Sequence, residues 1–356
     1  VVNIAKARAK HVPSGVVAAI VTRTDDVPTV QTSHPTIRLL SYNVRYFGHA
    51  TRGLASTKKA MTRIADAIAA LKPLPAIVCL QEVETRSLRS TVAHPTGGEE
   101  TQLERFVQML SESLAAAGKP DRFEAYYFPA HAYRLSERTK VYTTGLAILA
   151  HRDFAVDHHN AGTPHDITHR RPVAAARAMK QTRICAHVRF RHRTQRAFGP
   201  IDVFNTHLSL PSTFSRAFWM EPRRMGWGPN QLEEAKNLAR FVEKERASDR
   251  FVVVGDFNAL PGSPVYEHLV AGPAWVDAFA HRYKLNVEEL ASWPTAGFMR
   301  MRMHLDHVFT GRGIRWLDFD ETHPFGDRTA AFHGLSDHMP MIGRCRVARE
   351  NSLPPA

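Results

Sequence analysis

Cysteine is scarce in this chain: three occur among 356 residues, at Cys79, Cys185 and Cys345. The odd count, wide separation and apolar flanks exclude a disulfide framework and a cysteine-based zinc site. Buried free thiols are the expectation. No apolar run reaches the roughly 18 residues that a membrane-spanning helix needs. Acidic residues are outnumbered, 34 Asp+Glu against 47 Lys+Arg, for a net charge of +13. Such a field draws polyanions or anionic surfaces and speeds their encounter, without bearing on fold. Internal repeats are absent too, and no break in composition divides residues 37–347. That span reads as one large domain, between a basic arm at 1–36 and a short tail at 348–356. The arm lacks sustained periodicity, and residues 12–20 are too short and mixed for a signal-peptide core. A soluble protein is expected; the numbering opens on Val1, so a leader could have been removed, and the compartment, cytoplasmic or exported, stays open.

What is present is best read outward from Phe251-Val-Val-Val-Gly-Asp-Phe-Asn258. Four apolar residues suit a strand buried on both faces. Asp256 and Asn258 follow with one residue between them, so period-2 geometry puts both side chains on one side of the backbone. The same residues also suit an ordinary Asx turn. A hydrophobic content of 44% is enough for a sizeable core around such a strand.

The remaining elements alternate between strand and helix patterns. Residues 37–43 and 76–80 read as strands, the second followed by Gln81-Glu82. Between them Ser56 is the expected N-cap of a helix carrying Met61, Ile64, Ala65, Ile68 and Leu71, stopped by Pro73. A second helical stripe runs through Leu103, Phe106, Val107, Leu110 and Leu114. Residues 123–128 and 144–150 are expected strands. Residues 151–171 read as a polar, irregular loop; His158, His159, His165 and His169 in it match no metal-ligand spacing and are expected to be solvated. Residues 182–190 and 201–205 form an expected hairpin whose tip, 191–196, is cationic. A long loop at 209–229 mixes Phe214, Phe218, Trp219, Met220, Met225 and Trp227 with Arg216, Arg223 and Arg224, ahead of a helix over 230–247. Residues 298–303 alternate and read as one half-buried strand.

Polar residues now mark six strand ends or tight loops: Asn43, Glu82, His207, Asp256 with Asn258, Asp306, and Asp337 with His338. Each alone has an ordinary explanation, since strand ends are polar by default. In a layered α/β protein, however, neighbouring strand ends gather along one rim, where sites form.

The pieces Ser41-Tyr-Asn-Val44, Leu80-Gln-Glu82, Asn205-Thr-His-Leu208, Gly255-Asp-Phe-Asn258, Leu305-Asp-His-Val-Phe309 and Ser336-Asp-His338 occur in this order. On them the chain resembles the endonuclease/exonuclease/phosphatase superfamily of metal-dependent phosphoesterases. The resemblance implies a DNase I-like fold, a four-layer α/β/β/α sandwich of two mixed sheets with outer helices. It implies Mg²⁺, with Mn²⁺ as an alternative, held by Asn43, Glu82 and Asp337; hard cations take such oxygen donors. It implies Asp256 as general base or water-orienting carboxylate, and Asn258 holding the nucleophile or a phosphate oxygen. His207 is expected to bind phosphate or assist the leaving group. His338 is expected to contact phosphoryl oxygens, with Asp306 orienting its imidazole. The family usually has Tyr where His307 stands, and that side chain is expected to point away from Asp306. Where the family usually has Arg two places before Asp306 this chain has His304, with Arg300 and Arg302 nearby.

The implied activity is hydrolysis of a phosphodiester by in-line attack of an activated water. Nucleic acid is the leading substrate class, because Lys and Arg neutralise its phosphates. A phospholipid headgroup or an inositol phosphate is the alternative. The 209–229 loop serves either reading, as stacking platforms or as an insertion into an anionic membrane surface. A catalytically inert basic binding module is the remote alternative. The protein is expected to act as a monomer.

Overall fold

The computed structural model describes residues 36–48, 58–83, 101–119, 122–134, 140–169, 182–195, 199–211, 224–271, 275–298, 301–321 and 330–348. All belong to one compact unit, His34–Ala356. The expected basic arm, the Ser56 cap, most of the 209–229 loop and most of the C-terminal tail lie outside the described residues.

The apolar run of one strand and its parallel neighbour organise the larger sheet. β8 (Ile201–His207) and β9 (Phe251–Asp256) lie parallel, with Asn205 opposite Val254 and His207 opposite Asp256. Every residue of β9 is buried, as befits a central strand covered on both faces. Around this pair stand β5 (Phe154–His159), β7 (Ile184–His192), β10 (Val276–Asp277) and β13 (Asp306–Thr310), in the order β10-β13-β9-β8-β7-β5. The short β6 (His165–Asp166) adds to β7.

The six-stranded sheet repeats the plan. β1 (Thr36–Asn43) and β2 (Ile77–Val83) form its parallel pair. They are flanked by β3 (Phe123–Arg134), β4 (Lys140–His151), β14 (Ile314–Phe319) and β15 (Met341–Val347), giving β14-β15-β1-β2-β4-β3. Period-2 alternation divides its residues. Ile37, Leu39, Ile77 and Cys79 enter the core shared with Val203, Val253 and Val308 of the facing sheet. Leu40, Tyr42, Val78 and Leu80 turn outward. There they meet the apolar stripes of α1 (Lys58–Ala69) and α2 (Gln102–Ala116), among them Ile64, Ile68, Phe106 and Leu110. On the other sheet, α3 (Pro229–Glu245) and α4 (Pro264–Val270) supply Leu238, Phe241 and Leu269 to the core. The result is the four-layer α/β/β/α arrangement of two mixed sheets with outer helices. Short helices α5 (Ala278–Tyr283) and α6 (Val287–Ala291) follow β10.

The three cysteines are free and buried, as their apolar flanks predict. Two expectations are corrected. Residues 151–171 are not simply a loop, because β5 and β6 form within them. Their polarity reflects an edge position: most of β5 is half-buried or exposed, so the hydrophobic alternation that announces a strand is missing. Residues 298–303 are not one strand either. β11 (Ala296–Phe298) and β12 (Met301–Met303) pair antiparallel as a separate hairpin, and period-2 alternation does not reveal where a chain reverses.

Candidate active site

Beneath the rim, a polar layer ties the sheets together. Gln81 Nε2 donates to Asn205 Oδ1 at 2.8 Å and to Ser41 Oγ at 3.1 Å. Asn205 Nδ2 in turn donates to the Leu80 and Ala147 carbonyls, at 3.0 and 3.1 Å. All three side chains are buried, and although Gln81 Oε1 is left without a partner, these bonds favour one arrangement of the layers. The exits of β1 and β2 are thereby held against the exit of β8.

Local backbone geometry aims the side chains above this layer. The β2–β4 pairing shifts register between Leu80 and Val83, and Glu82 sits in that bulge at φ 55°. Bulges of this kind re-aim a side chain. Asn258 also has positive φ, 48°, directly after β9. Non-glycine residues held in this region carry strain that the surroundings must sustain. Gly255 has a different reason: at its φ of 149°, a Cβ would meet the Thr206 carbonyl oxygen at 2.0 Å. Only glycine lets β8 approach so closely.

The expected residues converge on Asp256. Its Oδ1 accepts from the Asn258 backbone N–H at 2.9 Å, and its Oδ2 accepts from Asn43 Nδ2 at 3.1 Å. Asn43 Nδ2 also reaches Glu82 Oε1 at 3.1 Å. His207 Nε2 lies 3.5 Å from Asp256 Oδ2 and 3.9 Å from Glu82 Oε1. His338 Nε2 lies 3.6 Å from the same Asp256 oxygen, while His338 Nδ1 bonds Asp306 Oδ2 at 2.9 Å. β13 places Asp306 directly opposite Asp256. Asp337 is ion-paired with Arg45, and Ser336 Oγ donates to the Asn43 carbonyl at 2.7 Å.

Electrostatics separates the two histidines. Burial and the charges of Arg183 and His338 hold His207 well below the usual imidazole range, so it is neutral. Burial also opposes charge on His338, but Asp306 and Asp256 outweigh it and hold an imidazolium. Burial, with Asp306 and Glu82 adding repulsion, lifts Asp256 to about 7 despite the opposing pull of His338. Burial lifts Glu82 as well.

Asn258 divides its contacts: its backbone fixes Asp256, and its Nδ2 donates to the Leu208 carbonyl at 3.0 Å. His307 points away from Asp306, bonding the Ala259 carbonyl through Nε2 at 2.8 Å and Asp277 through Nδ1 at 3.2 Å. His304 is buried, with Nδ1 on the Trp293 carbonyl at 2.6 Å, and Arg302 is exposed. Arg300 lies outside the described residues.

Sequence reasoning missed the supports on α3. Buried Gln231 donates to the Ser209 and Asn258 carbonyls at 2.7 and 2.9 Å. Buried Glu234 accepts from Ser209 N and Oγ at 2.9 and 2.8 Å. Their only signal was their place on the otherwise apolar face of a helix. The carboxylate and imidazole oxygens and nitrogens of Asp256, Asp306 and His338 also lie close enough together to hold a metal ion. Asn43 and Glu82 stand beside that trio, with Asn43 Oδ1 accepting from the Arg45 backbone N–H at 3.0 Å.

A model of the Endonuclease/Exonuclease/phosphatase family matches residues 40–338. No curated protein matches the chain. Among solved structures, the human Nocturnin catalytic domain with bound sulfate is similar over 88% of this chain and 94% of that one, at 16% identity and TM-score 0.55. ANGEL2, a 2',3'-cyclic phosphatase in complex with adenosine-2',3'-vanadate, is similar over 88% and 96%, at 15% identity and TM-score 0.55. A mannosyl-6-phosphatase of Bacteroides thetaiotaomicron is similar over 87% and 99%, at 16% identity and TM-score 0.51. At such identities the likeness is one of fold. The family model, by contrast, spans all six motifs of the rim, and by that match the chain belongs to the Endonuclease/Exonuclease/phosphatase family.

Proposed function

We propose that this chain is a metal-dependent phosphoesterase that hydrolyses a phosphodiester by in-line attack of water, with nucleic acid as the leading substrate class. The observation that carries the reading is the convergence on one buried oxygen: Asp256 Oδ2 faces Asn43, His207 and His338 within 3.1, 3.5 and 3.6 Å. A carboxylate lifted towards neutrality is suited to orient a water and take its proton. Asn258 fixes that carboxylate through its backbone and offers its carboxamide oxygen to the same water. His207, kept neutral, accepts or donates a hydrogen bond at the phosphate and leaving group. The His338 imidazolium, oriented by Asp306, neutralises charge growing on the phosphoryl oxygens. No covalent enzyme intermediate is required.

Asn43, Glu82 and Asp337 would hold the cation, Mg²⁺ or Mn²⁺. The residues fit such an ion: Glu82, Asp256, Asp306 and Asp337 crowd the rim beside the cations Arg45, Arg183 and His338, and the donors are hard oxygens. When bound, it supplies Lewis-acid stabilisation of phosphoryl charge. Arg45 holds Asp337 by an ion pair that a bound cation must displace.

The net charge of +13 supports a polyanionic substrate. The second reading, a phospholipid-headgroup hydrolase, draws on exposed Trp227 and Trp293, which suit interfacial insertion as well as base stacking. The test is cation-dependent hydrolysis of single- and double-stranded DNA, RNA, sphingomyelin vesicles and inositol phosphates, with EDTA and Asp256→Asn controls. Cleavage of nucleic acid that weakens steeply with salt, and is lost in both controls, is the expected result. Cleavage confined to vesicles favours the second reading, and turnover by Asp256→Asn removes Asp256 from the mechanism.

A further inference from the structure

On the outer face of the seven-stranded sheet, away from the motif-bearing rim, a second group of ligand-type side chains comes together. His187 lies in the middle of β7 and is fully buried, stacked on Phe204 at 4.3 Å between ring centres. Its Nε2 bonds Asp202 Oδ1 at 2.7 Å. Arg189 Nε also reaches that oxygen, at 2.8 Å. The carboxylate can only accept, so Nε2 donates into that bond, which leaves the other ring nitrogen, Nδ1, as the one open to a ligand. That Nδ1 is buried and has no hydrogen-bond partner.

Two further ligand-type side chains lie beside the His187 ring. The register of β5 against β7 sets exposed His158 opposite Arg189, and its ring centre lies 5.3 Å from that of His187. Glu245, the last residue of α3, brings a carboxylate to the same place. One ligand atom from each of His158, His187 and Glu245 lies within 4.8 Å of the others. We propose that these three side chains form a second metal site, for a borderline-soft ion of the zinc type. Two imidazoles and one carboxylate suit Zn²⁺ rather than Mg²⁺ or Ca²⁺. Asp202 behind His187 supplies the carboxylate–histidine support common at such sites. The carbonyl end of α3 adds negative potential. Tetrahedral coordination needs ligand atoms about 3.3 Å apart. His158 and Glu245, the members open to solvent, close that gap by swinging inward, and Glu245 then gives up its 3.3 Å contact with solvated Lys244. The bound ion clips edge strand β5 to the end of α3. The site does not depend on the proposed phosphoesterase reading.

The test is Co²⁺ titration of the untagged full chain in saturating Mg²⁺, followed by visible absorption and then by Zn²⁺ displacement. One Co²⁺ per chain with the intense bands of a tetrahedral site is expected, unchanged in Asp256→Asn. His158→Ala and Glu245→Gln, both at solvent-open positions, should weaken binding at least tenfold, of the order seen when metal-site partners are removed. No tetrahedral spectrum in the parent protein, or one that His158→Ala leaves intact, overturns the proposal.

Discussion

Asp306 Oδ2 accepts a hydrogen bond from His338 Nδ1 at 2.9 Å, although 32 positions of sequence separate the two residues. The carboxylate sets the tautomer and charge of an imidazole whose other nitrogen faces Asp256. Replacing Asp306 by Asn keeps the shape and removes the charge. Turnover is expected to fall by roughly 10²–10⁴, the usual worth of a positioned acid or base. His338 is held charged above its ordinary range partly by Asp306, so the alkaline limb of the pH–rate profile should move to lower pH in the variant. A profile that keeps its shape would separate Asp306 from the reaction.

Cation binding should depend on pH. Burial lifts Asp256 to about 7 and moves Glu82 in the same direction, so protons compete with a cation at the metal-free site as pH falls through about 7. A cation must expel them. Apparent Mg²⁺ affinity is therefore expected to rise as pH increases through about 7. Calorimetry in buffers of different ionisation enthalpy should record proton release. Affinity independent of pH across that range would contradict it.

His304 makes a separate statement about stability. Burial and the neighbouring His307 push it down to about 4. The unfolded chain takes up this proton below about 6.5, whereas the folded protein does not until pH nears 4. Stability is therefore lost as pH falls from about 6.5 towards 4, by up to about 3 kcal/mol from this residue. Urea denaturation at several pH values should show the parent protein losing more stability on acidification than His304→Gln. Parallel losses would count against the assignment.

Gly255→Ala tests the close approach of β8 and β9. The new methyl would sit 2.0 Å from the Thr206 carbonyl oxygen, with its nearest contacts all to the Thr206 backbone and no flexible side chain to yield. A loss of about 3 kcal/mol or failure to fold is expected, from strain and overpacking together. A mild effect in chemical denaturation would show that the strands separate easily.

Much of the fold was legible where local pattern and tertiary environment agree. The run leading to Asp256 is apolar because both of its faces are covered, and α1 and α2 present the stripes their spacing predicts. Legibility failed at the edges. β5 is polar because solvent reaches it, so nothing in residues 154–159 distinguishes a strand from a loop. The hairpin of β11 and β12 hid inside one alternating stretch.

The sequence by itself determined which residue types stand at the strand ends, in what order, and which family they mark, because motif identity is a property of the chain. It also determined the buried thiols and the strand-and-helix alternation, which follow from local hydrophobic pattern. Only the tertiary structure decided that Gln81 and Asn205 bind the two sheets beneath the rim, and that Arg45 pairs with Asp337. It alone distinguished a neutral His207 from a charged His338, since burial and neighbouring carboxylates set those states. And it alone set His158, His187 and Glu245 side by side, because strand register and the end of a distant helix, not spacing in sequence, bring their ligand atoms together.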